Sequence, residues 1–165
     1  MKINVADIIK TEGASLDVKF EGPLEDLNSL GIDFKFDDSI NFDGQVTNNS
    51  GILKLNGKLR VNYSTLCFRC LKEVTGFLDL TVNENFVAAD NAEDVEAYTY
   101  ESKFIEIDKV LVDNIILNIP MKQICTQGCK GLCQRCGSDL NEKSCDCTDD
   151  NINPNMEALK NYFKN

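Results

Sequence analysis

The 165-residue chain contains no histidine and no tryptophan. Without histidine, the Ser-His-Asp and Cys-His catalytic pairings, the His-Glu-x-x-His zinc hydrolases and every imidazole proton shuttle are excluded. Positive charge is also scarce: 17 Lys and Arg stand against 27 Asp and Glu, a formal net charge of −10. Such a surface repels phosphate backbones at long range, which argues against a histone-like role and leaves nucleic-acid contact to a local basic patch. No apolar run approaches the roughly 18 to 20 residues that cross a bilayer. The opening Met1-Lys2-Ile3-Asn4-Val5 lacks the pattern of a secretory signal. The expectation is a cytoplasmic protein without a membrane partner. Hydrophobic residues at 42% and charged residues at 27% suit one folded domain, or one domain with a small appended module.

From residue 16 to about 88 the apolar residues recur with a period of two, the mark of strands with one buried and one wet face. Leu16, Val18 and Phe20 alternate with charged residues, as do Ile32, Phe34 and Phe36. Ile40, Phe42 and Val46 share a face, and Leu53, Leu55, Leu59, Val61 and Tyr63 alternate with Lys54, Asn56, Lys58, Arg60, Asn62 and Ser64. Val74, Gly76, Leu78, Leu80 and Val82 continue the meander, and Asn48-Asn49-Ser50-Gly51 marks a turn. Regular alternation belongs to antiparallel sheets, since parallel strands buried on both faces read as continuous apolar runs.

The acidic stretch 89–97 is expected to be a solvated loop, followed by a short strand at Phe104-Ile105-Glu106-Ile107. Asp108 is the expected N-cap of a largely buried helix carrying Val110, Leu111, Val112, Ile115, Ile116 and Ile119, with a polar stripe of Lys109, Asp113 and Asn118. That helix, 108–119, ends before Pro120, whose ring disfavours helical geometry at Ile119. Asn153 and Pro154 start a last short helix with Met156, Leu159, Tyr162 and Phe163 on one face.

Eight cysteines carry the chemistry. In a reducing compartment that number points to metal ahead of disulfides. Cys67-Phe68-Arg69-Cys70 falls between two strand patterns, where a two-residue spacing aims both thiolates at one ion from a hairpin tip. Cys133-Gln134-Arg135-Cys136 repeats the spacing between Gly131 and Gly137, and Cys145-Asp146-Cys147 follows. Zinc takes four ligands tetrahedrally, so eight thiols make two sites. The favoured division joins Cys133, Cys136, Cys145 and Cys147 in a local site and Cys67 and Cys70 with Cys125 and Cys129 in a second. A rival division opposes Cys67/Cys70 to Cys133/Cys136. Iron-sulfur clusters use the same thiolates, and reduced thiols or disulfides of an exported protein remain the bland alternative. Residues 121–150 hold few large apolar side chains, too few to offset about 1 to 2 kcal/mol of ordering entropy per residue. Two structural zinc ions are therefore the expected cofactors and scaffold. Catalytic zinc needs an open position, and the cysteines here suffice to close every one.

The expected architecture is α+β: an antiparallel β-rich domain over 1–120 with its buried helix, and a Cys-rich zinc module with a C-terminal helix over 121–165 packed on it. Cys67-Phe68-Arg69-Cys70-Leu71, the stretch Ile107-Asp108 through Leu117-Asn118-Ile119-Pro120-Met121, the run from Cys129-Lys130-Gly131-Leu132-Cys133 to Asp139-Leu140-Asn141, and the closing Ile152-Asn153-Pro154-Asn155-Met156-Glu157-Ala158-Leu159-Lys160 resemble the bacterial YceD family, the large ribosomal RNA subunit accumulation proteins. The resemblance implies a non-enzymatic cytoplasmic factor supporting 23S ribosomal RNA processing and accumulation. Its partner would be 23S rRNA or a pre-ribosomal particle, met directly or through a ribosomal or assembly protein, with no small-molecule substrate. The family often has Asp-Pro-Arg where this chain has Asn153-Pro154-Asn155, a loss of basic charge at the start of the last helix that weakens the case for RNA contact by that helix. Arg69, Lys72, Lys122, Lys130, Arg135 and Lys143 instead form the candidate basic face, although the same cations would also offset the charge of four-thiolate sites. Two other readings stand beside this one: a redox- or metal-responsive cysteine protein, and an acidic protein-interaction module.

Overall fold

The computed structural model describes residues 1–24, 27–28, 33–37, 39–91 and 97–147. The C-terminal helix expected from Asn153 falls outside the described residues. In chain order the elements are β1 (Lys2–Asn4), α1 (Ala6–Ile9), β2 (Ser15–Gly22), β3 (Phe34–Phe36), β4 (Ile40–Asn49), β5 (Ile52–Leu66), β6 (Glu73–Ala88), β7 (Tyr98–Tyr100), β8 (Phe104–Glu106) and α2 (Ile107–Asn118). A 3-10 turn covers Ala89–Asn91 at the start of the stretch expected to be loop. Among the described residues the molecule is mostly strand with two helices, an α+β arrangement.

Six strands form one sheet in the order β2-β4-β5-β6-β7, with β3 pairing β5 where β4 leaves off. Period-two alternation decides which face each strand buries. Leu53, Leu55, Leu59, Val61 and Tyr63 point inward from β5, as do Ile40, Phe42 and Val46 from β4. Gly44 lies opposite Gly57 on the paired strands, and the Phe42 ring fills the space beside them. A Cβ on Gly57 would stand 2.5 Å from that ring. Between β4 and β5 the chain reverses through Ser50 and Gly51, both at positive φ (53° and 91°), a two-residue hairpin turn whose twist matches the strands. Asn48 is part of β4 and is buried. Its amide donates to the carbonyls of Ile8 and Ile9 at 2.7 and 2.9 Å, tying α1 to the sheet.

Three expectations need correction. The sheet is antiparallel except at its edge, where β7 runs parallel to β6. Only three residues pair there, so the chain has to retrace only roughly 10 Å, and a short connection replaces the usual long crossover. Asp108 is not the N-cap of α2. Glu106 holds that position in an extended conformation without a side-chain cap, while Asp108 lies in the first turn, beside the positive end of the helix and the Met1 amine. The helix is also only half buried. Ile107, Val110, Leu111, Val112 and Ile115 enter the core, whereas Ile116 and Leu117 are exposed, because a helix resting on one sheet buries one face. Its end before Pro120 is as expected, with Ile119 extended at ψ 129°.

The N-terminal segment, which carries no clear periodicity, forms β1 against β8. No helix among the described residues is long and apolar enough to cross a membrane. The feature that positions the site is the β5–β6 hairpin. Its ladder runs from Leu53↔Phe86 to Leu66↔Glu73 and carries residues 67–72 at its tip.

Candidate metal centres

At that tip the chain makes a knuckle. The Leu71 N–H donates to the Cys67 carbonyl at 2.9 Å, and Leu71 takes a left-handed φ of 59°. The second pair repeats the turn: Gly137 N–H donates to the Cys133 carbonyl at 2.9 Å, with Gly137 at φ 71°. In both, a residue at positive φ after the second cysteine turns the chain back so that two sulfurs face one point. Glycine accepts this conformation freely, while Leu71 does so at some cost.

The eight sulfurs fall into two sets, Cys67, Cys70, Cys125 and Cys129, and Cys133, Cys136, Cys145 and Cys147. Within each set all sulfurs lie within 4.8 Å of one another. This is the favoured division, and the opposed-knuckle rival is not the arrangement observed. Four thiolates held tetrahedrally at about 2.3 Å from an ion have edges of about 3.8 Å. Cys67 and Cys129 are 3.9 Å apart and Cys70 and Cys125 are 3.6 Å apart, which suits a single ion at the centre.

The inner set joins the hairpin to the tail. Phe68 N–H donates to the Gln123 carbonyl at 2.8 Å, Leu132 N–H to the Arg69 carbonyl at 3.0 Å, and the Arg69 guanidinium to the Cys129 carbonyl at 2.8 Å. Gly131 sits so close that a Cβ there would meet the Arg69 carbonyl at 2.9 Å. Cys67, Cys70 and Cys129 are buried, with Val74, Ile124 and Leu132 packed around them as a small satellite core. The outer set is built within residues 133–147, with Cys136 and Cys147 exposed.

Charge is distributed unevenly among the thiols. Burial opposes ionisation of Cys67, but N–H groups of Cys70, Arg69 and Cys125 bring its pKa down to about 6. The Lys72 N–H favours the Cys70 thiolate, yet burial and the three neighbouring sulfurs push Cys70 up to about 12. In the outer set the Ser138 hydroxyl and N–H bring Cys136 down to about 6, and the adjacent Cys136 sulfur, with burial, pushes Cys147 up to about 12. Crowded thiolates repel, so full ionisation of either set requires a cation at its centre. Each set can therefore hold a metal ion.

Asn141 links the two sets. Its amide donates to the Cys129 sulfur at 3.5 Å and to Asp139 at 2.7 Å, and its carbonyl oxygen accepts the Lys130 N–H at 2.8 Å. Neither Asn141 nor Ser138 stands out by spacing, since a polar residue in a polar loop carries no periodic signal. The candidate basic face divides. Lys72 is occupied, its ammonium bridging Asp139 and Glu142 at 2.9 Å each. Arg69, Lys122 and Lys130 gather at one groove, Arg135 lines the next, and Lys143 lines neither.

The fold and site define a class: a β-rich protein whose cysteine-rich tail meets a long hairpin at one four-thiol set and carries a second four-thiol set of its own. The model of the family described as "Large ribosomal RNA subunit accumulation protein YceD" matches residues 55–163, more than half of the chain, and the chain belongs to that family. It is similar to the maize protein named "Large ribosomal RNA subunit accumulation protein YCED homolog 1, chloroplastic", at 28% identity over 152 residues, 72% of this chain and 52% of the relative. The Arabidopsis thaliana protein of the same name is 42% identical over 55 residues, 33% of this chain and 17% of the relative. An uncharacterized protein of Mycobacterium tuberculosis is 30% identical over 79 residues, 45% of this chain and 38% of the relative. The chain spans about half or less of the length of these relatives. No solved structure matches it.

Proposed function

We propose that this chain is a non-enzymatic accessory factor of large-subunit biogenesis, supporting 23S rRNA processing and accumulation, with two structural zinc ions. Family membership supplies the ribosomal part of the reading. The observation that carries the zinc part is the inner four-thiol set, whose sulfur separations of 3.6 and 3.9 Å fit one tetrahedral ion. Held by such an ion, the tail docks on the hairpin as a fixed surface. The module 121–165, of which residues 148–165 lie outside the described ones, then acts as a unit through its 121–147 part, which meets the β-rich domain 1–120 at the hairpin tip, and the work it does is binding. The partner is 23S rRNA or a pre-ribosomal particle, in a reducing compartment such as the cytoplasm.

Sizing rRNA precursors after deletion of the gene tests the ribosomal reading. Accumulated 23S precursors are expected, and normal processing would overturn it. Native mass spectrometry with visible absorption tests the metal: two zinc ions and a colourless protein are expected, and an iron-sulfur chromophore would replace zinc.

A redox-responsive reading is favoured by one observation, the exposure of Cys136 together with its lowered pKa of about 6. Release of the outer ion by mild peroxide, reversed by a thiol reductant, would support it. Two ions that survive the oxidant would remove it.

A further inference from the structure

Beside the inner set lies a groove lined by Phe68, Arg69, Lys122 and Lys130, with Ile124 and Leu132 supplying apolar surface. No carboxylate among the described residues lines it. The neighbouring concavity shares Lys130, Leu132 and Gln134, adds Arg135, is bordered by Cys133, Cys145 and Cys147 of the outer set, and has no lining carboxylate among the described residues. In a chain of net charge −10 this is a local reversal of sign along a continuous track. None of Arg69, Lys122, Lys130 and Arg135 forms an ion pair among the described residues. Phe68 stands in this track with 64% of its surface exposed. Its backbone is anchored, because its N–H donates to the Gln123 carbonyl at 2.8 Å and the flanking cysteines belong to the inner set. The Lys122 ammonium rests 5.0 Å from its ring centroid. An exposed aromatic ring held by an anchored turn among cations is the arrangement that stacks an unpaired base while neighbouring cations take the phosphates. A duplex hides its base faces and has no use for such a ring.

We propose that the track from Phe68 to Arg135 binds single-stranded RNA, one base stacking on Phe68 and the flanking phosphates meeting Lys122, Lys130 and Arg135. The choice of RNA over DNA rests on the ribosomal reading above, while the stacking and charge argument stands on the groove itself. An acidic peptide would satisfy the cations but would leave the ring without a role.

The absence of tryptophan from the chain makes the test direct. Phe68→Trp places the sole indole at the stacking position, and titration of the zinc-loaded full chain with single-stranded oligouridine should quench its fluorescence. Phe68→Ala, with metal content and melting temperature checked as unchanged, should weaken binding by roughly 5- to 100-fold. Replacing both Lys122 and Lys130 by Ala should reduce the salt slope of log K by about 1.4. Binding that is equal for Phe68→Ala, equal for a duplex of the same length, or displaced as well by polyglutamate would overturn the proposal, as would no binding by the zinc-loaded chain. Preferential binding of single-stranded DNA would overturn the choice of RNA. A precursor defect in the deletion strain without groove binding removes this inference alone, and groove binding with normal precursors removes the ribosomal reading alone.

Discussion

The two four-thiol sets have the same ligands and differ in where those ligands come from. The inner set draws Cys67 and Cys70 from the tip of the β5–β6 hairpin and Cys125 and Cys129 from the tail, with three of the four buried. The outer set takes all four from residues 133–147 and leaves two exposed. With an ion in each set, identical chemistry would do two jobs. A site that closes a long stretch of chain determines tertiary arrangement, while a site within one loop shapes only that loop. Burial adds a second difference, because chelators, protons and oxidants reach the outer sulfurs first. Asn141 keeps the sites from being independent, since it sits in the outer loop and donates to an inner ligand.

Removing a ligand from each set is the strongest way to break this comparison. Cys70→Ser should halve the bound metal and release residues 121–147 from the hairpin. Structural zinc is worth on the order of 10 kcal/mol in small fingers, so the loss here should be several kcal/mol. Amide exchange should rise throughout the tail while β2, β4 and the Leu53–Tyr63 part of β5 stay protected. Loss of protection in the whole sheet would show that the ion organises the entire chain. Cys136→Ser should also halve the metal but loosen only 133–147, leaving Phe68 N–H and Leu132 N–H protected. Equal effects of the two substitutions would erase the distinction.

Acid sharpens the same contrast. Cys70 and Cys147, pushed up to about 12 by neighbouring sulfurs and burial, must give up protons when an ion binds. Lowering pH therefore favours the protonated, ion-free protein, and metal affinity falls from pH 8 towards pH 5. A chromogenic chelator should record two steps, the exposed outer set emptying first. A single step would mean that the Asn141 link couples the sites tightly.

Smaller effects test the regions outside the metal. Gly57→Ala places a Cβ against the Phe42 ring and should cost about 1 to 3 kcal/mol of sheet stability without altering metal content. Lys72→Ala removes the ion pairs to the half-buried Asp139 and the exposed Glu142 and should lower the thermal midpoint only slightly.

Alternation along β2, β4, β5 and β6 was legible in the sequence because one face of each strand is wet, and burial writes a period of two directly into residue choice. The knuckles were legible for a related reason, since a two-residue spacing is what lets consecutive turns aim two sulfurs at one ion. Phe68, Ser138 and Asn141 gave no such signal. Their roles come from neighbours distant in sequence: Lys122 beside the ring, the Cys136 sulfur beside the hydroxyl, and Cys129 beside the amide.

Sequence alone determined the meander, the hairpin that presents Cys67 and Cys70, the helix that stops before Pro120 and the count of thiols sufficient for two tetrahedral ions. Each of these follows from local sterics, from side-chain periodicity or from ligand arithmetic. Tertiary structure decided which cysteines meet, that β7 runs parallel to β6, that Asp108 faces the Met1 amine, and that Lys72 is committed to carboxylates while Lys122 and Lys130 share a groove with Phe68. Those outcomes depend on distances between residues far apart along the chain, and only packing the sheet, α2 and the tail together sets such distances.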